Sequence, residues 1–477
     1  MSFLDELQKN TNHYKLTENG AVTNDSTLDA NLDYFSLAGA MRDRAGDTRR
    51  LFAKAYATNP LMALRTLFYL RDIRGGQGER DVFRAGLQEL ELVAPSMIEK
   101  ILANDWIGEY GRYDDLLSIT DKKLVAEFIR QQLNVDTINM IAEKSVSLLA
   151  KWLPSENASS KESRQQALEF ASAMGLKPSQ YRKRIVALRK YIKLLEQKMS
   201  TNQWGEIDYS KVPSQAGRKH VKAFMRHDEE RYRAFLAKVD KGEAKINTST
   251  LYTYEVFDLV ASGQNEAANT MWNNLPDYTN GTDALVLADV SGSMMGRPMS
   301  VSVSLALYFA EHNKGIFNNK FMTFSSNPQV IDVIGNTLDK KLNYIESRDW
   351  DGSTNLEAAF DAILNAAISS NVGSDGMPKV LYVISDMEFD QACSNPSDTI
   401  FENAKRKFKA SNLELPHVVF WNVSSRNDQA PATKFDNNVT LISGSSQSSF
   451  RYAVQGKTPV ELMKEVINSE RYSKIII

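Results

Sequence analysis

A chain of 477 residues exceeds what one hydrophobic core usually supports, so two or three domains are expected. Charged residues make up 24% and the net charge is −2, the balance of an ordinary globular protein, which excludes a chain whose composition alone commits it to polyanions. A single cysteine, Cys393, excludes an intrachain disulfide scaffold and points to a reducing compartment.

Residues 1–30 are polar and aperiodic and predict an arm, either mobile or laid on a neighbouring surface. Their opening residues lack the basic and apolar regions of a secretory signal, and no run of about 18 apolar residues occurs to span a membrane. The expectation is a cytoplasmic protein without membrane contact. From 31 to 282 the text is helical. Apolar residues recur at three- and four-residue steps through 59–73, 123–135, 165–175 and 181–199, with turn signals at 74–78, 109–112 and 154–157. Helices in series with short breaks predict a helical-repeat, HEAT-like array, although no crisp repeat period is visible.

From 283 to 477 strands and helices alternate. Short apolar runs at 283–289, 320–325, 379–385, 417–423 and 438–443 have the near-continuous burial pattern of parallel strands, with helices at 300–312, 355–367 and 458–469. The fold class expected is therefore α followed by α/β: a helical array, then a doubly wound, Rossmann-like sheet.

At the end of the first of these strands stands Asp289-Val290-Ser291-Gly292-Ser293. Thr354 lies just before a helix, and Asp386 closes the strand 379–385. In an open α/β sheet, loops beyond the carboxyl ends of the strands form the ligand site. Two carboxylates and three hydroxyls are all oxygen donors, which select a hard ion, Mg²⁺ or else Mn²⁺ or Ca²⁺. With only two carboxylates the ion stays electrophilic and can accept an acidic side chain from a partner. Glu388 and Asp390 read as a solvated loop, with a supporting role around the ion as the alternative.

These five positions resemble the metal-ion-dependent adhesion site (MIDAS) of von Willebrand factor A (vWA) domains. Three stretches of the helical half, Arg71–Arg80, Glu109–Leu117 and Lys151–Ser155, together with Gly352–Asn355, resemble a family that joins a helical domain to a carboxyl-terminal vWA domain. That layout is similar to the TROVE-module proteins, the Ro autoantigen and its bacterial relatives. The resemblance covers roughly 30–470 and implies a ring of helical repeats closed by the vWA domain and binding of small structured RNAs.

Between 181 and 235 there are 14 Lys/Arg against 6 Asp/Glu, whereas 283–477 has 18 against 22. The basic segment is the charge pattern that phosphate contact needs. Lys183, Arg184, Arg189, Lys190, Arg218, Lys219, Lys222 and Arg226 are the candidate RNA contacts, with Tyr181, Tyr191 and Tyr232 as stacking partners. A solvated basic face is the plain alternative. His220 and His227 read as ordinary histidines, the glycines of 74–78 as a helix end, and Trp152 as a core anchor. The functional expectation is a non-catalytic RNA-binding protein whose metal site docks an acidic protein partner. The alternatives are a protein-only adaptor of a larger assembly, such as the partner of an AAA ATPase, and a metal-dependent nuclease.

Overall fold

The computed structural model describes residues 7, 11, 13–279, 281–348, 350, 352–391, 395, 397–452 and 456–477; Cys393, Asp351 and most of 1–12 lie outside them. A helical region is followed by a six-stranded sheet of order β5-β4-β3-β6-β7-β8. The strands are β3 (Ala284–Asp289), β4 (Lys320–Phe324), β5 (Gln329–Asp332), β6 (Val380–Ser385), β7 (His417–Asn422) and β8 (Val439–Ser443). All neighbours pair in parallel except β4 and β5. β3, β6, β7 and β8 are buried along their whole length, which explains their unbroken apolar character. β5 is the antiparallel edge; its alternating exposure and short length hide it in the sequence.

Local signals start the helices where the sequence places them. The Asn59 side chain accepts from the Met62 N–H ahead of Pro60, and Asp121 and Ser160 cap the helices Lys122–Ile141 and Lys161–Ala173. Thr399 with Glu402, and Thr458 with Glu461, form reciprocal capping boxes. The helix expected at 300–312 is the crossover helix Arg297–His312.

Packing crosses the boundary that the sequence grammar puts at 282. One core joins the helices of 32–188 to Leu462, Met463, Val466, Ile467, Tyr472 and Ile475 from the chain's far end. A second joins residues 207–275 to one face of the sheet and the helix Arg297–His312. A third fills the other sheet face, under the helices Leu356–Ser369 and Ile400–Ala410. The helix Pro459–Ile467, expected at 458–469 as part of the α/β half, is thus built into the amino-terminal core.

The expected arm contains structure of its own. Its described part forms a hairpin, β1 (Tyr14–Leu16) and β2 (Val22–Asn24), which lies on the sheet region: Gly20 bridges to Asp390 and Asn24 to Ala430. The glycine turn 74–78 is a joint between regions. Gly75 O accepts from Arg451, Gln77 O from the Tyr252 hydroxyl, and Gln77 Nε2 donates to Ser449 Oγ at 3.2 Å. Gly78 has φ +70°, and a Cβ there would meet the Tyr252 hydroxyl at 2.1 Å.

Candidate functional site

β3 and β6 are neighbours at the centre of the sheet, where the chain changes its direction of winding. The loops leaving their carboxyl ends therefore open beside one another. Asp289 is fully buried; its Oδ1 accepts from the Ser291 N–H at 2.9 Å and its other oxygen from the Ser385 hydroxyl. Ser291 Oγ lies 3.0 Å from Ser293 Oγ, and the Ser293 hydroxyl is near enough to Asp386 to pull its carboxyl down against burial. Four of the five expected ligands are thus linked to one another.

Thr354 stands on a third loop held against the other two. Gly352 O accepts from the Gly292 N–H at 3.4 Å. Asp390 Oδ2 accepts from the Thr354 N–H at 2.9 Å, while the Asp390 N–H donates to Thr354 O. Thr354 itself is 2% exposed.

Burial, and then the Asp386 carboxylate nearby, push Asp289 up to about 6. Burial raises Asp386 as well, against the opposing pull of the Glu388 N–H, the Ser293 hydroxyl and Arg426. Two buried carboxylates held in one place want positive charge, and the surrounding donors are hydroxyls. That set fits a hard divalent ion, which Asp289, Ser291, Ser293, Thr354 and Asp386 could hold.

The expectation that Glu388 and Asp390 form a solvated loop is overturned. Glu388 is fully buried: Oε2 accepts from the Glu18 N–H and Oε1 from Asn427 Nδ2, both at 2.8 Å. Asp390 clamps the Thr354 loop. Sequence reading also missed Arg426, whose guanidinium pairs with Asp386 at 3.0 Å. The alternate spacing of Asp386, Glu388 and Asp390 was the available signal for the first two; nothing local marks Arg426.

The second feature is an open cavity of about 1060 Å³ lined by the helical region, the segment 213–255 and Arg297. Ten cations line it (Arg42, Arg71, Arg80, Arg112, Lys151, Arg182, Arg189, Arg218, Lys219 and Arg297) against the carboxylates Glu79, Asp81, Glu196 and Glu255. The three helical stretches that carry the family resemblance meet here: Arg71, Gly78, Glu79, Arg80, Gly111, Arg112, Lys151, Trp152 and Ser155 all face the cavity. Trp152, expected as a core anchor, is half-buried on the wall with the Arg112 guanidinium 4.0 Å above its ring.

The basic segment divides. Of its eight candidates only Arg189, Arg218 and Lys219 line the cavity. Lys183, Lys190, Lys222 and Arg226 are exposed and Arg184 half-buried, none of them on the cavity wall. Arg189 is committed elsewhere: its nitrogens donate to Ala150 O, Leu153 O and Ser155 Oγ at 2.6–2.7 Å, closing the end of a short helix. Tyr181 and Tyr232 lie in the core, which removes them as stacking partners; the Tyr181 hydroxyl donates to Pro154 O. The Tyr191 hydroxyl donates to Lys144 O. His227 stacks on Trp204 at 4.5 Å.

Two family models, each described as a domain of unknown function, match the chain: DUF2828 at residues 17–95 and 156–282, and DUF7788 at 283–474. Among solved structures, the Deinococcus radiodurans RO (RSR) protein is similar at 14% identity and a TM-score of 0.39, over 87% of this chain and 93% of that one. Likeness at that level decides neither fold nor function. The uncharacterized protein L728 of Acanthamoeba polyphaga mimivirus is 30% identical over 96% of this chain and 85% of its own length. Identity sustained across both regions means that this chain belongs to the same family as the mimivirus protein.

Proposed function

We propose that this chain is a non-catalytic, cytoplasmic RNA-binding protein of the TROVE-like kind that the sequence resemblance implies. The cavity holds the RNA backbone, and the sheet region, as a vWA-type domain, holds Mg²⁺ and docks an acidic side chain of a protein partner. The observation that carries the RNA reading is one large cleft lined by ten cations, of which Arg189, Lys219 and Arg297 have no ion pair among the described residues. A modest positive excess spread along a wall attracts a polyphosphate chain, which releases its counterions on binding. Trp152 on the wall, whose ring carries the Arg112 guanidinium at 4.0 Å, is the aromatic group beside which an unpaired base stacks.

Filter binding of structured and single-stranded RNAs at several salt concentrations tests this. Affinity should fall steeply as salt rises, and nucleic acid should co-purify at moderate salt. No RNA retained at low salt would end the reading.

A protein-only adaptor is the second reading. Met295, two residues beyond Ser293, is 82% exposed and gives a partner an apolar contact beside the metal loop. Capture of a protein in a Mg²⁺-dependent manner, without RNA, would favour it.

A further inference from the structure

Arg426, on the loop after β7, faces two carboxylates at once. One terminal nitrogen is 3.0 Å from Asp386 Oδ2 and the other 3.0 Å from Glu18 Oε2. The two partners differ in surroundings: the Asp386 side chain is 1% exposed and that of Glu18 47%. Glu18 is held in place by the tip of the β1–β2 hairpin. Its N–H donates to Glu388 Oε2, Asn19 Nδ2 donates to Glu388 O, and Thr17 Oγ1 donates to Phe389 O, all within 2.7–2.8 Å. Asn427 Nδ2 spans Glu388 Oε1 and Glu18 Oε1. The amino-terminal hairpin is therefore docked on the loop that leaves Asp386, with one guanidinium shared between them.

A divalent ion and a guanidinium at the same carboxylate repel one another and draw on the same oxygens. The guanidinium has a second acceptor, Glu18, outside the expected ligand set. We propose that Arg426 is the built-in competitor of the divalent ion at Asp386, and that Glu18 is the seat to which its guanidinium withdraws when the ion binds. This rests on the reading of Asp289, Ser291, Ser293, Thr354 and Asp386 as a metal site. Ion binding then strengthens the Arg426–Glu18 pair and tightens the hairpin against the sheet region, which carries the state of the site to the amino-terminal segment.

Calorimetric titration with Mn²⁺ tests the proposal on the full chain. Arg426→Gln should bind Mn²⁺ roughly tenfold more tightly than wild type, because the competing charge is gone. Arg426→Lys, which keeps the charge, should stay close to wild type. Glu18→Gln should bind several-fold more weakly, since Arg426 is left with Asp386 alone. Hydrogen exchange provides a readout independent of affinity: Mn²⁺ should slow exchange at residues 17–22 in wild type and leave it unchanged in Arg426→Gln. If Asp289→Ala abolishes binding but Arg426→Gln binds no more tightly than wild type, the competitor role is overturned and the metal site stands. If Glu18→Gln matches wild type, Glu18 is not the second seat. If neither wild type nor Arg426→Gln takes up Mn²⁺, the metal site fails and the proposal falls with it.

Discussion

At the carboxyl edge of the sheet, five oxygen donors come from three loops, each adjoining a regular element, and like charges are buried together with one guanidinium nearby. Along the cavity, ten cations come from positions as far apart as Arg42 and Arg297. Most of these are already matched: Arg42 with Glu79, Arg71 with Asp115, Arg112 with Asp114, Arg218 with Glu255. Among the described residues, Arg189, Lys219 and Arg297 have no ion pair, Arg189 being held by Ala150 O, Leu153 O and Ser155 Oγ, and Arg80 has only the exposed Asp81. The contrast teaches that the two sites store charge differently. The edge holds a local excess that one ion can satisfy, while the cavity spreads a modest excess over a large wall, which suits an extended polyanion.

The sharpest break in this comparison comes at the edge. Asp289→Ala should abolish Mn²⁺ uptake in titration calorimetry while leaving salt-dependent RNA binding in place. Loss of both in a folded protein would join the two sites into one.

At the cavity, Arg80→Glu, Lys219→Glu and Arg297→Glu combined should weaken RNA binding about a hundredfold near 0.15 M salt. The salt slope should flatten by roughly 0.7–0.9 for each phosphate that is no longer neutralised. Unchanged filter binding would move the RNA off this wall.

A third test uses stability and pH. Asp289 has its folded pKa raised from 3.8 to about 6, so the folded state binds the extra proton between those values. In metal-free protein this group's contribution is most favourable below 3.8 and is lost as pH rises through about 6. Asp289→Asn should therefore stabilise the metal-free protein at pH 7, by on the order of 1–3 kcal/mol, and remove the stabilisation that Mg²⁺ gives wild type. Wild-type Mn²⁺ affinity should weaken as pH drops through about 6. Thermal melts with and without metal check the stability arm, and titrations at several pH values check the affinity.

The joint between the regions should respond more than a surface turn. Gly78→Ala places a Cβ against Tyr252 in a left-handed turn and should cost roughly 2–4 kcal/mol. Gly263→Ala, at φ +74° with nothing within 4 Å, should cost about 1 kcal/mol. Equal melting temperatures would show that the close approach to Tyr252 is not needed. The smallest effect belongs to the outer basic face: reversing Lys183, Lys190, Lys222 and Arg226 should change RNA affinity by less than about threefold. A loss like that of the cavity variant would restore the 181–235 face as the RNA-binding surface.

The helical region, the parallel strands and the oxygen ligands at the sheet edge are all legible in the residues alone. Parallel strands buried on both faces must be continuously apolar, and chain direction alone puts the loops after β3 and β6 on one edge. Asp289, Ser291, Ser293 and Asp386 were legible because each sits within a few residues of a strand end. The rest depends on long-range packing. The cavity wall, the Arg426–Asp386 pair, the burial of Glu388 beneath the hairpin and the seating of Pro459–Ile467 in the amino-terminal core all join residues far apart in the chain. Such pairings leave no periodic trace, and a basic stretch looks the same whether its cations line a cavity, close a helix end as Arg189 does, or face water.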